Sequence, residues 1–227
     1  MQERQGEVKM DREIDMKKVS DGRFYSLRDM VKADCGGCRD CSDCCRGMGS
    51  SIVLDPYDGF RLTTGLNLSF EQLLEEKVEL NVVEGIVLPN MKMTGIKEQC
   101  GFLNSNGRCE IHMFRPGICR IFPLGRYYEN GGFQYFIQIH ECRKEPKTKV
   151  KVQKWIDTPD AKRNEAFINE WHYFLKSLSR RLKHTEEENF QKSLSMYLLK
   201  NFYLKPYEKE RDFYVQFQER MIEAKKL

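Results

Sequence analysis

The sequence predicts an α+β protein, in which a small, irregular, cysteine-rich core with short strands and a β-hairpin precedes an α-helical C-terminal region. All nine cysteines lie between Cys35 and Cys142. The turn sequence Glu129-Asn-Gly-Gly, between two apolar runs, is typical of a hairpin. Later in the chain, apolar side chains recur at helical spacing. We therefore divide the chain into an N-terminal extension (1–34), a cysteine-cluster domain (35–148) and a helical region packed on it (149–227).

Composition and charge favour a cytoplasmic globular protein. Of the 227 residues, 40% are hydrophobic and 32% are charged, and the net charge of +4 does not demand a polyanionic partner. The polar N-terminus lacks the apolar segment of a secretory signal, and no apolar run is long enough to span a membrane. We expect no membrane association and no nucleic-acid partner. In a reducing cytoplasm, spaced cysteines bind metals or act in redox chemistry more often than they form disulfides.

Local signals place several elements within the cysteine-rich half. Ser69, with Gln72 three residues later, matches a capping box and predicts the start of a helix. The other predicted elements are a helix from Asp55 or Pro56 to Leu62, two short strands within Val82 to Met93, and hairpin strands at Leu124 to Tyr128 and Phe133 to Ile139.

The second half of the chain predicts three helices. Thr158 as N-cap and Pro159 in the first turn predict where the first helix starts. Further helices are predicted at Glu186 to Leu204 and at Pro206 to Ala224. An aromatic series at helical spacing favours a core face over a binding surface; it comprises Tyr197, Phe202, Tyr203, Tyr207, Phe213, Tyr214 and Phe217. The basic stretch from Lys144 to Lys154 is expected to be a solvated face or a linker.

The strongest chemical signal is the run Cys35-Gly-Gly-Cys38-Arg-Asp-Cys41-Ser-Asp-Cys44-Cys45. Two intervening residues allow a tight turn to bring two thiolates to one metal, and this spacing occurs three times in succession. The run therefore predicts metal binding. Successive CxxC steps are similar to an iron–sulfur ferredoxin run, although the fourth step lacks the usual three spacers and proline. The two separated CxxC pairs of a zinc ribbon are also missing.

A second set of cysteines follows at Cys100, Cys109, Cys119 and Cys142, none of which has a CxxC partner. The fold must therefore bring these thiols to their co-ligands. Eight thiolates would suit two four-ligand sites, or one cluster with cysteines in reserve. Because neighbouring side chains in an extended segment point to opposite sides, we expect that Cys44 and Cys45 do not both bind one ion.

Charged and imidazole side chains lie close to the cysteines in sequence. A four-thiolate site carries net negative charge, which Arg46, Arg115 and Arg120 are expected to offset from outside the ligand shell. His112 and His140 are competent ligands for zinc or iron. We nevertheless expect both to lie outside the ligand set, because the cysteines alone suffice to fill it.

The combined motif resembles the CxxCxxCC cysteine-cluster family, which has been proposed to chelate zinc or iron. The residues that carry the resemblance are Cys38-x2-Cys41-x2-Cys44-Cys45, Cys100-Gly-Phe-Leu, Gly-Arg-Cys109-Glu-Ile-His and Arg115-Pro-Gly-Ile-Cys119-Arg-Ile-Phe-Pro123. The resemblance implies that the metal ligands come from Cys38, Cys41, Cys44, Cys45, Cys100, Cys109, Cys119 and Cys142. Cys35 is an additional cysteine, and His112 stands where the family often has tyrosine. Flagellin lysine N-methylases contain a similar domain, so methyl transfer is also implied.

Three functions follow from these observations. The favoured hypothesis is a redox or electron-transfer protein with an iron–sulfur cluster, most simply of the 4Fe–4S type. The first alternative is a structural zinc protein whose helical region binds a protein partner. The second alternative is a protein methylase of the flagellin type, for which the sequence shows no cosubstrate motif. Whether the protein is an enzyme is left open at this point.

Overall fold

Short antiparallel strand pairs and helices alternate along the first two-thirds of the computed structural model, which describes residues 15–36, 41–184 and 188–227. The strands are β1 (Met30–Asp34), β2 (Val78–Val83), β3 (Ile86–Met91), β4 (Met93–Thr94), β5 (Gln99–Cys100), β6 (Leu124–Glu129), β7 (Gly132–Ile137) and β8 (Thr148–Lys151). The helices are α1 (Met16–Val19), α2 (Pro56–Leu66), α3 (Phe70–Glu76), α4 (Gly117–Ile121), α5 (Val152–Ile156), α6 (Ala161–Lys183), α7 (Glu188–Leu199) and α8 (Phe213–Ala224). This mixture of helices and short antiparallel strands is consistent with the predicted α+β class.

The strand pairs are β1–β8, β2–β3, β4–β5 and β6–β7. The last three join strands that are neighbours in sequence. The pair β1–β8 is different, because Met30 lies opposite Lys151 and Asp34 lies opposite Thr148. This pairing brings together the two ends of the cysteine-rich segment.

The predicted hairpin is confirmed as β6–β7, which pairs from Leu124 opposite Ile137 to Glu129 opposite Gly132. Its turn residues Asn130 and Gly131 have φ values of 52° and 78°. Both values lie in the left-handed region, which asparagine and glycine tolerate best. The local sequence is therefore sufficient to set this turn.

Both predicted helix starts in the first half are also confirmed. Helix α2 begins after Asp55, whose side chain accepts a hydrogen bond from the backbone N–H of Asp58 at 2.8 Å. Helix α3 begins after Ser69 with the predicted capping box, in which Gln72 Oε1 accepts from the Ser69 N–H at 2.8 Å. These short-range contacts satisfy N–H groups that would otherwise lack partners.

Replacing Ser69 with alanine is expected to destabilise the protein by about 1 kcal/mol, because the first turn of α3 loses its side-chain acceptor. Ser69→Asp is the matched control, since it keeps an oxygen at the same position and should lie within about 0.5 kcal/mol of the parent protein. Urea unfolding measures both values. Equal stability of the alanine and parent proteins would contradict the capping role.

The predicted pair of strands between Val82 and Met93 is correct in number but wrong in position. The chain reverses at Glu84 and Gly85, whose φ values are 48° and 84°, so β2 starts earlier than expected. Pro89 lies inside β3, and its carbonyl accepts a hydrogen bond from the Leu54 N–H at 2.8 Å. The proline is thus part of a strand rather than a break between two strands.

Two predicted helix starts are wrong. Helix α6 begins at Ala161 rather than at Pro159, because Asp157 and Asp160 both have left-handed φ values of 48° and interrupt the helix. Helix α8 begins at Phe213 rather than at Pro206, since the Asp212 side chain accepts from the Val215 N–H at 3.0 Å and caps it there. Residues 185–187 lie outside the described part of the chain, so the predicted start at Glu186 falls outside it too.

The stretch from Lys144 to Lys154 also differs from its prediction as a solvated face or a linker. It contains β8 and the beginning of α5, and Val150 and Val152 are buried. These residues belong to a small hydrophobic cluster that also contains Tyr25, Leu27 and Val31 from the start of the described chain. The prediction was wrong because side chains of a strand alternate between its two faces, so a basic strand can bury one face and expose the other.

The larger hydrophobic cluster joins α2, α3, β2 and β3 to the C-terminal helices. Its centre is aromatic: Phe202 and Phe217 are 0% exposed, and the Phe217 ring centroid lies 4.7 Å from that of Phe167. The prediction of an aromatic core face is therefore confirmed. Helix α7 continues into a π-helical turn, Lys200–Leu204, which contains Phe202.

Candidate metal centre

Five thiols from separate parts of the chain form one neighbourhood, which we call the five-thiol group: Cys44, Cys45, Cys100, Cys109 and Cys119. Burial raises the pKa of Cys119 well above its usual range, and the nearby thiols of Cys100, Cys44 and Cys109 raise it further. The pKa of Cys109 is likewise raised by burial and by proximity to Cys100 and Cys44. These mutual effects show that cysteines up to 75 positions apart in sequence lie close together.

The first cysteine loop is held against β5 by a short network. Arg46 forms an isolated β-bridge with Gln99, and its Nη1 donates to Gln99 Oε1 at 2.8 Å. The Gly47 N–H donates to the Glu98 carbonyl at 2.9 Å. These contacts bring Cys45 next to the strand that ends at Cys100.

Two further contacts position the later cysteines. Cys109 forms a β-bridge with Leu103, which places it beside the turn that follows Cys100. Asp58 Oδ1 accepts from the Gly117 N–H at 2.7 Å and so holds the start of α4, which carries Cys119, against α2. Sequence reasoning identified the helix start beside Asp58 but missed this contact, since nothing local links residues 59 positions apart.

Backbone N–H groups point at several of the sulfurs. The Phe102 N–H donates a hydrogen bond to the Cys100 sulfur, and the Ile111 N–H donates one to the Cys109 sulfur. Each donor follows its cysteine by two residues. Such N–H···S bonds favour the thiolate form and tune the metals that thiolates bind. The local turns are therefore shaped to present sulfur as a ligand.

Cys44 and Cys45 do not lie on opposite sides of an extended segment, as had been expected. They belong to a 3-10 turn, Asp43–Cys45, and their thiols share a hydrogen bond. This bond from Cys45, assisted by Arg115, lowers the pKa of Cys44 to about 7, whereas the pKa of Cys45 is raised. The premise of an extended segment is wrong, because a 3-10 turn rotates successive side chains by about 120° rather than by about 180°. That the two cysteines do not both bind one ion stays a prediction.

Cys35 and Cys142 form a separate thiol pair. Their side chains share a hydrogen bond, and the Lys144 N–H lies on the Cys142 sulfur. Cys35 is buried and directly follows β1, whose pairing with β8 closes the two ends of the cysteine-rich segment. Cys142 therefore has Cys35 as its thiol neighbour, although the sequence grouped it with Cys100, Cys109 and Cys119.

The two remaining cysteines are Cys38 and Cys41. Cys41 is half-buried just before the 3-10 turn, and Cys38 lies outside the described residues. All eight cysteines within the described ranges carry free thiols. Across those same ranges, no three histidine, cysteine, aspartate or glutamate side chains are close enough together to hold one ion. The sulfurs are thus gathered but not closed around a single point.

The three arginines expected near the ligands occupy different positions. Arg46 links the first loop to β5, and Arg115 lies near the thiols of Cys44 and Cys109. Arg120 is buried, and its guanidinium donates to the carbonyl oxygens of Met113, at 2.9 Å, and Asp157. Its hydrogen bonds hold the loop that leads to Cys119, and a charge-offsetting role for it stays a prediction.

The two nearby histidines lie outside this group of sulfurs. His112 Nε2 is 3.1 Å from Arg115 Nη1, and burial lowers the pKa of its imidazole. His140 is exposed two residues before Cys142. Their exclusion from the ligand set stays a prediction.

Gly65 holds the loop between Cys109 and Cys119 against α2. A Cβ atom at Gly65 would lie 2.4 Å from the Phe114 ring, whereas one at Gly59 would lie 3.4 Å from Phe70. We expect Gly65→Ala to destabilise the protein by about 1–3 kcal/mol through overpacking. Gly59→Ala, in the same helix, should be neutral or stabilising by up to about 1 kcal/mol.

Chemical unfolding of the two alanine variants measures this difference directly. The comparison removes the effect of helix propensity, because both substitutions replace a helical glycine with alanine. Equal stabilities of the two variants would show that Phe114 moves aside without cost.

The fold and these sulfurs define a cysteine-rich α+β protein with donors suited to thiophilic metals. The chain belongs to the CxxCxxCC family, described as a "putative zinc- or iron-chelating domain", whose model matches residues 37–154. That range covers about half of the chain and contains every cysteine except Cys35. No curated protein and no solved structure matches the chain. No helix among the described residues is long and apolar enough to cross a membrane.

Proposed function

We propose that this is a cytoplasmic protein that holds an iron–sulfur cluster of the 4Fe–4S type and exchanges electrons with a protein partner. The observation that carries the proposal is the five-thiol group, in which sulfurs from three distant parts of the chain share one neighbourhood. Soft thiolate donors suit iron–sulfur clusters and zinc, and four of these thiols suffice for one cluster. The hydrogen bond between Cys44 and Cys45 supports the idea that one of the two is the spare.

Two features favour iron over zinc. Structural zinc sites usually use paired CxxC knuckles. Within the described ranges, Cys44 is the one member of a CxxC step that we assign to the five-thiol group. The N–H···S bonds at Cys100 and Cys109 are of the kind by which proteins set cluster potentials.

The depth of the site suits electron exchange, because four of its thiols are only partly buried: Cys44, Cys45, Cys109 and Cys119. A cluster at this depth would lie close enough to the surface for electron exchange with a partner.

The Cys35–Cys142 pair supports a second, separate site. Its two thiols contact each other rather than the five-thiol group, and Cys142 has its own N–H···S bond. We therefore propose that Cys142 acts with Cys35, although Cys35 lies outside the family match. Among the described thiols, five lie in one group and two in the other, which agrees better with two sites than with a single cluster.

Anaerobic purification followed by iron, zinc and sulfide analysis tests the proposal. We expect brown protein with about four iron and four sulfide per chain for one 4Fe–4S cluster. Its absorption band should lie at about 400 nm, as in ferredoxins, and should bleach on reduction with dithionite. Colourless protein with stoichiometric zinc would overturn the iron–sulfur assignment. It would support the alternative, in which zinc stabilises the fold by on the order of 10 kcal/mol per site and the helical region binds a partner.

A further inference from the structure

A cavity of about 570 Å³ lies between the β6–β7 hairpin, the segment that leads into α2, helix α4 and the long helix α6. This volume is within the range of small-molecule binding sites in proteins. One wall contains Ile118 and Ile121, on either side of Cys119, and the opposite wall is formed by α6. The cavity therefore adjoins the five-thiol group without being part of it.

One polar group in the cavity wall has an unmet hydrogen bond. The Nε atom of Arg126 is buried and, within the described part of the chain, has no hydrogen-bond partner. Leaving a buried donor unpaired is unfavourable, so such a group indicates a missing acceptor. A ligand oxygen in the cavity would supply it.

Two carboxyl groups of the protein lie close to the Arg126 guanidinium. A methyl group placed on Gly117 would lie 3.7 Å from Arg126 Nη2, 3.7 Å from Asp58 Oδ1 and 3.9 Å from Asp55 Oδ2. The guanidinium and the two carboxyl groups therefore surround one point. An anionic ligand would meet these carboxyl groups, so a neutral acceptor is the better complement.

The rest of the cavity wall is mainly apolar and aromatic. Trp171 and Phe136 contribute flat faces, and the ring of Tyr128 is stacked on that of His172 at 3.6 Å with an angle of 10° between the planes. Aliphatic side chains complete the wall, namely Leu54, Val83, Leu88, Leu124, Ile168 and Leu175. Such a lining favours a flat, largely apolar ligand.

We propose that the cavity binds a neutral ring compound with carbonyl acceptors, of the quinone class, with one carbonyl oxygen accepting from Arg126. A quinone is flat and uncharged, and its apolar ring matches the aromatic and aliphatic walls. This inference concerns a site beside the five-thiol group and stands whether or not that group holds iron.

Titration of the purified protein with 2,3-dimethyl-1,4-naphthoquinone tests the proposal. Both alkene carbons of its quinone ring carry methyl groups, which blocks addition of the free thiols there. Quenching of Trp171 fluorescence should saturate, and Trp155→Phe should keep the signal because Trp155 is not among the cavity-lining residues. Arg126→Met should weaken binding at least tenfold, since the acceptor loses its donor, whereas Arg180→Met, on the exposed face of α6, should leave binding unchanged.

A second variant keeps the test valid if Arg126→Met fails to fold. Ile168→Phe fills the cavity from α6 without removing a polar group and should also abolish saturable quenching. Absence of saturable quenching in the parent protein, or equal affinity in Arg126→Met, would overturn the proposal. Calorimetric heat with S-adenosylmethionine but none with the quinone would also overturn it and would favour the methylase alternative. Metal-free protein that still binds the quinone would refute the cluster but not this cavity.

Discussion

Cys109→Ala is expected to lose the metal of the five-thiol group and to become much less stable at the same time. Cys109 is half-buried beside Cys100, Cys44 and Cys119, and its sulfur already receives the Ile111 N–H. Removing one of four thiolates opens the site, and because metal binding is coupled to folding, the stabilisation by bound metal, on the order of 10 kcal/mol, is reduced with it. Metal content after anaerobic purification and thermal unfolding measure the two effects.

Cys35→Ala is the matched control for this substitution. Cys35 is also a buried cysteine in the same half of the chain, but its thiol partner is Cys142 rather than the five-thiol group. It should therefore keep the iron of the five-thiol group and lose less stability. If Cys109→Ala retained full metal content and parental stability, Cys109 would not be a ligand.

Phe217→Ala is expected to cost about 3–5 kcal/mol, the range for truncating a fully buried aromatic side chain. Phe217 is 0% exposed, and its ring lies 4.7 Å from that of Phe167, 5.9 Å from that of Phe202 and 6.2 Å from that of Trp171. The substitution therefore opens a cavity where α6, α8 and the π-helical turn meet. Urea or thermal unfolding gives the free energy of unfolding.

Ile222→Ala provides the control within the same helix. Ile222 is 60% exposed, so its truncation should change stability by no more than about 0.5 kcal/mol. A comparable loss for both variants would contradict the distinction between the buried and exposed faces of α8, because alanine is the better helix former at both positions and propensity cannot account for a loss. A loss below about 1 kcal/mol for Phe217→Ala would contradict the central position of this ring.

Features governed by neighbouring residues could be predicted from the sequence. The Asn130–Gly131 turn and the Ser69 capping box need only a few adjacent side chains, and both were located correctly. The predicted starts of α6 and α8 relied on Pro159 and Pro206, whereas the observed starts follow Asp160 and Asp212. Asp160 adopts a left-handed conformation and Asp212 caps α8. A capping side chain therefore marks the start of α8, whereas at α6 the backbone conformation of Asp160 does so without a side-chain cap.

The arrangement of the thiols could be predicted only in part. Spacing and family resemblance identified the cysteines, but their division depends on long-range contacts such as Arg46 with Gln99 and Asp58 with Gly117. The pairing of β1 with β8, which brings Cys35 towards Cys142, joins strands more than 110 residues apart. No local pattern encodes such a pairing, because it depends on which buried faces meet in the folded chain.

X-ray absorption at the iron and zinc edges of anaerobically purified protein measures directly whether these distant sulfurs surround a metal. We predict an iron edge with a first shell of sulfur only, at about 2.3 Å. Cys109→Ala should lose that shell, and Cys35→Ala should keep it. A first shell of oxygen and nitrogen, or folded protein without iron or zinc, would contradict the assignment of the five-thiol group as a metal centre.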